Sequence, residues 1–511
     1  MKLGQQFNTR FRTQIKSTLG CFDRVLFSGY LSFYSNSYVN AWVGSKLKLR
    51  IKDFIPQMKI RSDRLVESAK QLASRSGAPF HYLQGRCRKD DFVEEIASQR
   101  GHPQGLLAVL CVQESCRTVK LKYQADRPQL KYEYRPQRVL YFYLEDPHLG
   151  RMFVRLQTWF PWKIQVYVNG HDWLACQLRR KQMTFVQQDN AFLQIDDPRR
   201  AQRIADRFAG LNWPQILGTL ASRFNTLLSD PWLQDQTYNW VLDQVEYSTD
   251  VLFTDQALLA DLYPRLLDHA VTTFRAQDIM TFLGRRLDPR FQGEIQTHCR
   301  KDRQPGARIK HRVEDNWLKM YDKFGRMIRV ETVLNSPRGF HVYRPVDQGT
   351  HTTMKWKPLR KNVIHFPRYQ EILQASNQRY LDALSTVQDT SSACYQQAAE
   401  LTRPKRHAGR SYAGFNVADK ADIDLFAAVL AGEHHLRGFQ VKDLLAHLHA
   451  NTSRIGRRRH AQTLSRQIKR LHVRGLVAKI PRSHRWKVTP KGATLFARVI
   501  TLYHRGLANA A

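Results

Sequence analysis

Acidic side chains are scarce in this sequence: 44 Asp plus Glu stand against 81 Lys plus Arg, a formal charge of +37 over 511 residues. A chain so one-signed repels itself unless it meets a polyanion, and nucleic acid is the commonest one. Paired cysteines are lacking as well. The seven cysteines, at 21, 87, 111, 116, 176, 299 and 394, are odd in number, and no two have the two-residue gap of a zinc knuckle. They read as reduced, buried thiols of a cytosolic protein. Long hydrophobic runs are missing too: GLLAVLCV, from residue 105, falls far short of the ~20 residues that span a bilayer. The opening stretch MKLGQQFNTRFRTQIKSTLG has no apolar segment of the kind a secretory signal needs. The expectation is a soluble, cytoplasmic protein with nucleic acid as partner and no membrane contact.

Apolar residues themselves are plentiful, at 42% with 11% aromatic, and suffice for packed cores in about three domains. The basic residues sit among Trp, Tyr and Phe, which suits a folded binder better than a charged tail. The patterning predicts an α+β, multidomain chain: a mixed α/β region over 1–210, a helical middle over 211–290, a β-rich module with a helix over 291–388, a basic linker over 389–417 and a C-terminal block over 418–511. Within the first region, Asp197 before Pro198 predicts a helix start, because proline at the first helical position loses no hydrogen bond.

The stretch NWLKMYDKFGRMIRVETVLN, 316–335, alternates apolar and polar residues as two strands of a hairpin do. Leu318, Met320, Ile328 and Val330 predict a core face. A three-residue loop Lys323-Phe324-Gly325 would use Gly325 for its left-handed position. The other face carries Lys319, Tyr321, Arg329 and Glu331. An ammonium, a phenol, a guanidinium and a carboxylate on one strand face make either a salt-bridge ladder or a working site. The resemblance of KMYDK and IRVE here to strands of rolling-circle replication initiators implies that Glu331 would hold or orient a divalent metal, Mg2+ or Mn2+, that Lys319 and Arg329 would clamp phosphate, and that Tyr321 would be the nucleophile. The histidines available to help are His298, His311 and His341, each isolated in sequence.

Residues 451–490 hold twelve Lys or Arg and no acid. The third predicted helix of this block keeps Leu464, Ile468 and Leu471 on one stripe. Arg457, Arg458, Arg459, Arg466, Lys469 and Arg470 avoid that stripe, and Thr463, Ser465 and Gln467 could read base edges in a major groove. Arg482, His484 and Arg485, in the following turn, would reach phosphate.

Three further places carry chemistry-bearing residues. Asp23, in CFDRVLFSG, lies on a predicted strand between apolar neighbours, where a carboxylate needs a partner from elsewhere; an RNase H-like nuclease could place its first Asp on such a strand. Glu246 and Asp250, in EYSTDVLF, would share one face of a helix. The strands of 137–170 interleave Tyr141, Tyr143, Phe153, Trp159, Trp162 and Tyr167 with Arg155 and Lys163, either to stack unpaired bases or as simple core.

Two motifs resemble known families. RGLVAKIP with RWKVTPKG, after three helices, resembles the recognition-helix exit and wing of MarR-like winged-helix domains, which implies a C-terminal winged helix-turn-helix. KMYDK with IRVE resembles strands of the rolling-circle replication initiators of plasmids and filamentous phages, which implies metal binding at Glu331 and attack by Tyr321. The strings YVNGHDWLACQL, KMYDK and TFLGRRL also look like a family of uncharacterised bacterial proteins, which implies a bacterial, mobile-element setting and no particular activity. The expected function is therefore DNA processing of the nicking, replication or transposition type, with DNA favoured over RNA. The alternative is a non-enzymatic transcriptional regulator or RNA-binding protein.

Overall fold

The computed structural model describes residues 6–31, 36–84, 88–124, 127–233, 235–285, 291–301, 306–347, 352–387, 399–431, 434, 438–449 and 454–508. The protein is α+β. Its strands are β1 (Ile15–Tyr30), β2 (Phe80–Leu83), β3 (Gly105–Gln124), β4 (Arg127–Asp146), β5 (Gly150–Gln157), β6 (Ile164–Asn169), β7 (Phe185–Gln188), β8 (Ala191–Ile195) and β9 (Asn239–Phe253). There follow β10 (Ile295–Lys301), β11 (Ala307–Val313), β12 (Asn316–Lys323), β13 (Met327–Leu334), β14 (His341–Asp347) and β15 (Thr352–Pro358). Four short strands end the series: β16 (Lys405–His407), β17 (Arg410–Tyr412), β18 (Val477–Lys479) and β19 (Trp486–Val488).

The chain forms two compact units. One comprises Met1–Ser17, Val251–Glu331 and Ala375–Ala511, the other Thr18–Asp250 and Thr332–Gln374. Both draw on segments distant in sequence, and β1, β9 and β13 contribute residues to each.

In the Thr18–Asp250 unit the strand order is β9-β1-β6-β5-β4-β3-β2. Its β1–β6, β6–β5, β5–β4 and β4–β3 pairs are antiparallel, and β2 joins β3 in parallel. Aliphatic and aromatic side chains at alternate positions of β4, β5 and β6 form its core with Trp162, Trp213 and Phe366. Asp197 caps the Pro198–Ala205 helix by accepting from the Arg200 N–H at 2.9 Å, as the sequence predicts. Tyr141 and Tyr143 are buried and pack with Phe153, and Phe153 stacks on Tyr167 at 4.9 Å. Arg155 is paired with Glu114 at 2.8 Å. These strand aromatics are core, not a platform for bases.

Residues 239–253 correct the expected helical middle: they form β9. The reason is composition, since Val, Tyr, Thr and Phe suit a pleated, buried strand better than a helix.

In the Val251–Glu331 unit the order is β10-β11-β12-β13-β9. Leu318, Met320, Ile328 and Val330 share one core with Phe7, Leu266 and Tyr380, so the faces of the hairpin are as the alternation predicts. Its loop has the expected three residues but is shifted by one, to Phe324-Gly325-Arg326. The Arg326 N–H donates to the Lys323 carbonyl at 3.3 Å, and both Phe324 and Gly325 are left-handed, at φ 63° and 66°. Left-handed residues at the turn match the natural strand twist, and β12 runs on to Lys323.

The 418–511 block has its own core, with Leu464, Ile468 and Leu471 on the stripe that the spacing predicts. Its helices are Lys420–Val429, Val441–Leu448, Arg454–Val473 and Pro490–Ala508, with the β18–β19 hairpin before the last and a bridge from Phe439 to Trp486. Part of the expected linker is structured: β16 pairs with β17, and Leu401 and Phe415 enter the block's core. Residues 388–398 lie outside the described residues. Among the described residues no helix is long and apolar enough to cross a membrane.

Candidate functional site

A buried polar cluster of the Thr18–Asp250 unit is built from two neighbouring strands and one helix start. On β9, strand alternation puts Glu246, Ser248 and Asp250 on one face. The sequence suggested a shared face by helical spacing; the shared face is real, but the geometry is that of a strand. On β1, Asp23 brings its carboxylate to within 4.8 Å of that of Glu246. At the end of β6, Asn169 caps the Gly170–Arg180 helix by accepting from the His171 N–H at 2.8 Å. A Cβ at residue 170 would collide with the Phe22 carbonyl, so only glycine lets the helix begin against β1. This close approach lodges His171 beside the strands.

His171 stands between two carboxylates, its Nδ1 3.5 Å from Asp23 Oδ1 and its Nε2 4.0 Å from Asp250 Oδ2. Its Nε2 is also 3.3 Å from the Ser248 hydroxyl. Asn190 donates to Asp23 at 2.6 Å, and Gln244 to Glu246 at 2.5 Å. Asp23, Glu246 and Asp250 are 4–5% exposed and His171 is fully enclosed. Three carboxylates withdrawn from water are costly unless hydrogen-bonded or offset by positive charge. The partner that Asp23 required thus comes from the β7–β8 turn and the helix start.

Carboxylate oxygens are the donors that hard divalent cations prefer, so Asp23 and Glu246 fit Mg2+ or Mn2+ rather than a softer metal. Asn190 also lines a cavity of about 560 Å3, together with Asp90, Glu94, Tyr143, Glu145 and Asp172. Burial pushes the Asp172 carboxyl up to about 6 although Gln187 donates to it at 3.3 Å. The acids on this wall repel phosphate, so the cavity suits a cation and not a nucleic-acid strand.

The sequence-predicted hairpin residues meet in the Val251–Glu331 unit. Glu331, 3% exposed, accepts from the Lys319 ammonium at 2.6 Å and from the Tyr321 hydroxyl at 3.1 Å. Lys319, Tyr321 and Glu331 are therefore brought together. Arg329 is fully enclosed, with no surface from which to meet a phosphate polymer. None of the three histidines joins Glu331 in a metal-ligand grouping among the described residues. His311 is a core residue between Thr297 at 2.9 Å and Tyr380 at 3.0 Å, and burial lowers its pKa to about 3. His298 sits beside Gln296 at 2.9 Å, and His341 is exposed on β14.

In the C-terminal block the Arg454–Val473 helix presents Arg457, Arg458, Arg459, Thr463, Arg466 and Lys469 to solvent. Thr463 and Ser465 turn their hydroxyls back to the Arg459 and Ala461 carbonyls, at 3.2 and 2.8 Å. Arg470 is occupied structurally: it donates to the Ala413 carbonyl at 3.2 Å and lies 4.0 Å over the Phe415 ring. Arg485 donates to the Gly438 carbonyl at 2.8 Å, whereas Arg482 and His484 are exposed in the β18–β19 turn. Sequence reasoning passed over Tyr343 and Trp356, exposed on β14 and β15; an aromatic opposite an aromatic amid Lys and Arg was the available signal.

The chain matches no protein-family model, no curated protein and no solved structure.

Proposed function

We propose that the protein binds nucleic acid, DNA ahead of RNA, with its C-terminal block acting as a winged helix-turn-helix. The observation that carries this reading is the split of the Arg454–Val473 helix. Leu464, Ile468 and Leu471 are buried, while Arg457, Arg458, Arg459, Arg466 and Lys469 face solvent with no acid between 451 and 490. A cationic helix followed by a short basic hairpin, tipped by Arg482, has the shape and sign to enter a major groove with its wing on the backbone. A cytoplasmic location goes with this reading, supported by free, buried cysteines at 21, 111, 116 and 176; Cys299 is free but exposed, where the sequence predicts a buried thiol. The test is fluorescence anisotropy with labelled duplex DNA and with RNA of the same sequence. Arg457→Glu/Arg458→Glu/Arg459→Glu in the full chain should weaken duplex binding at least tenfold; unchanged affinity would refute the reading.

A second reading is DNA strand processing of the nicking, replication or transposition type, and the Asp23–Glu246 pair favours it. A divalent cation held there would supply charge stabilisation for phosphoryl transfer. Asp23 and Glu246 would hold the ion, and Asn190 and His171 would orient Asp23. On the hairpin, Tyr321 would be the nucleophile and Glu331 a ligand. Nicking of supercoiled plasmid with Mg2+ or Mn2+ tests each role: loss in Asp23→Asn and Glu246→Gln supports the carboxylate pair as holder of the ion, and loss in Tyr321→Phe supports the tyrosine as nucleophile. If wild type nicks nothing under either metal, the protein is a binder without this chemistry.

A further inference from the structure

Seven residues of β14 pair with seven of β15 to make a two-stranded ribbon outside any larger sheet. Its base is fixed, because Phe340 and Leu359 are buried in the core of their unit and the Leu359 N–H donates to the Phe340 carbonyl at 2.9 Å. Beyond that base the two faces differ sharply. His341, Tyr343 and Pro345 of β14 lie opposite Pro358, Trp356 and Met354 of β15, so one face is apolar and aromatic. Tyr343 is 52% exposed, Met354 48% and Trp356 60%. The other face sets Arg344 against Lys355 and Val342 against Lys357.

An isolated two-stranded ribbon is marginal in water, and one that spends a tryptophan and a tyrosine on solvent gains nothing from them in folding. Contiguous exposed aromatics of this kind mark a binding surface. The charges name the partner. Arg344, Lys355, Lys357 and Arg360 have no ion pair among the described residues. The Arg368 guanidinium, anchored to the His341 carbonyl at 3.1 Å, lies 5.7 Å from the Trp356 ring. The Tyr343 and Trp356 rings lie 5.4 Å apart at 43°, tilted so that the two do not cover each other.

We infer that this ribbon is a second nucleic-acid contact, one that takes an unpaired strand. Bases stack on Tyr343 and Trp356, the Arg368 guanidinium beside the Trp356 ring meets the backbone on that face, and Arg344, Lys355 and Lys357 on the reverse face add the positive charge that draws a polyanion to the ribbon. A duplex keeps its base faces closed and can offer the rings nothing. An acidic peptide would satisfy the cations and leave both rings unused. The inference rests on the nucleic-acid reading above and deepens it by assigning the single-stranded form to a different surface from the duplex.

The test compares a labelled single strand of about 20 nucleotides, long enough for one such site, with its duplex, on the full chain. Tyr343→Ala/Trp356→Ala should lower single-strand affinity about tenfold or more, the scale of losing stacked bases, and leave duplex affinity unchanged. Tyr343→Phe/Trp356→Phe keeps the ring faces and should restore most of the loss. An abasic strand of equal length should not distinguish the variants from wild type. Equal losses on strand and duplex, no loss on either, or displacement of the strand by polyglutamate as readily as by an oligonucleotide of the same charge would each overturn the inference. The earlier reading fails on a different result, full duplex affinity in the Arg457, Arg458 and Arg459 variant, so the two outcomes can be told apart.

Discussion

Asp23 and His171 lie 3.5 Å apart, carboxylate oxygen to ring nitrogen, where neither side chain reaches solvent, and Asp250 flanks the ring from its other nitrogen. An imidazole so placed relieves two carboxylates at once. His171→Leu removes that relief and leaves Asp23 and Asp250 facing an apolar group. The variant should lose on the order of 2–4 kcal/mol of stability, read as a lower urea midpoint with an unchanged slope. An unaltered midpoint would show that the cluster is satisfied without the ring.

If Asp23 and Glu246 hold a hard cation, the folded state binds it and the unfolded chain does not, so the ion must raise the melting temperature. Mn2+ and Mg2+ should each raise it in wild type. In Asp23→Asn or Glu246→Gln the metal should have no effect, even though either substitution by itself relieves buried charge and leaves the apo protein at least as stable. A metal shift that persists in both variants would place the ion elsewhere.

Gly170 is where the helix start meets β1, and a Cβ there strikes the Phe22 carbonyl, a backbone atom that cannot swing aside. Gly170→Ala should cost more than 1 kcal/mol, against the usual gain when alanine replaces a helical glycine. Gly218, in the Trp213–Phe224 helix, meets nothing within 4 Å, so Gly218→Ala is the matched control and should stabilise.

Two groups in the Val251–Glu331 unit give pH dependences of opposite sign. Burial lowers His311 from 6.5 to about 3, so below pH 6.5 the unfolded chain takes up a proton that the folded one refuses. Stability is then full above 6.5 and falls with decreasing pH, by about 2–3 kcal/mol at two units below it. His311→Gln should flatten that limb of a denaturation-against-pH curve.

Asp322 behaves the other way. Burial raises its carboxyl to about 6, against the pull of a hydrogen bond from the Gly325 backbone, and its Oδ1 is buried with no hydrogen-bond partner. A raised pKa means that stability present below 3.8 is lost as pH rises through 6. Asp322→Asn should match wild type near pH 4 and exceed it by about 2 kcal/mol near pH 8. Equal stability at both pH values would show that the carboxylate is hydrated.

What could be read from sequence was local. Asp197 before Pro198, the alternation of 316–334 and the Leu464, Ile468, Leu471 stripe each depend on neighbours within one element, and each is found as predicted. What depends on distant partners was not legible. Glu246 and Asp250 are four apart in either a helix or a strand reading, and only the pairing of β9 beside β1 makes them neighbours of Asp23. His171 was hidden in a helix start, since no local pattern announces that Gly170 must pack on Phe22. In the same way Arg329 looks like a clamp on an alternating face until the surrounding strands enclose it. GFHVYRP, 339–345, reads as β structure and forms most of β14, but its partner β15 escaped because Pro358 weakens a strand reading, although it fits a strand whose outer edge is free.

The central claim is that the exposed cations of the Arg454–Val473 helix grip a phosphate backbone. The most direct measurement is the slope of log affinity for duplex DNA against log salt concentration, for wild type and for Arg457→Ala/Arg458→Ala/Arg459→Ala. Each phosphate contact contributes about 0.9 to that slope. The account predicts a steep wild-type slope that is shallower in the variant by about 2 or more. The same slope in both proteins would contradict it.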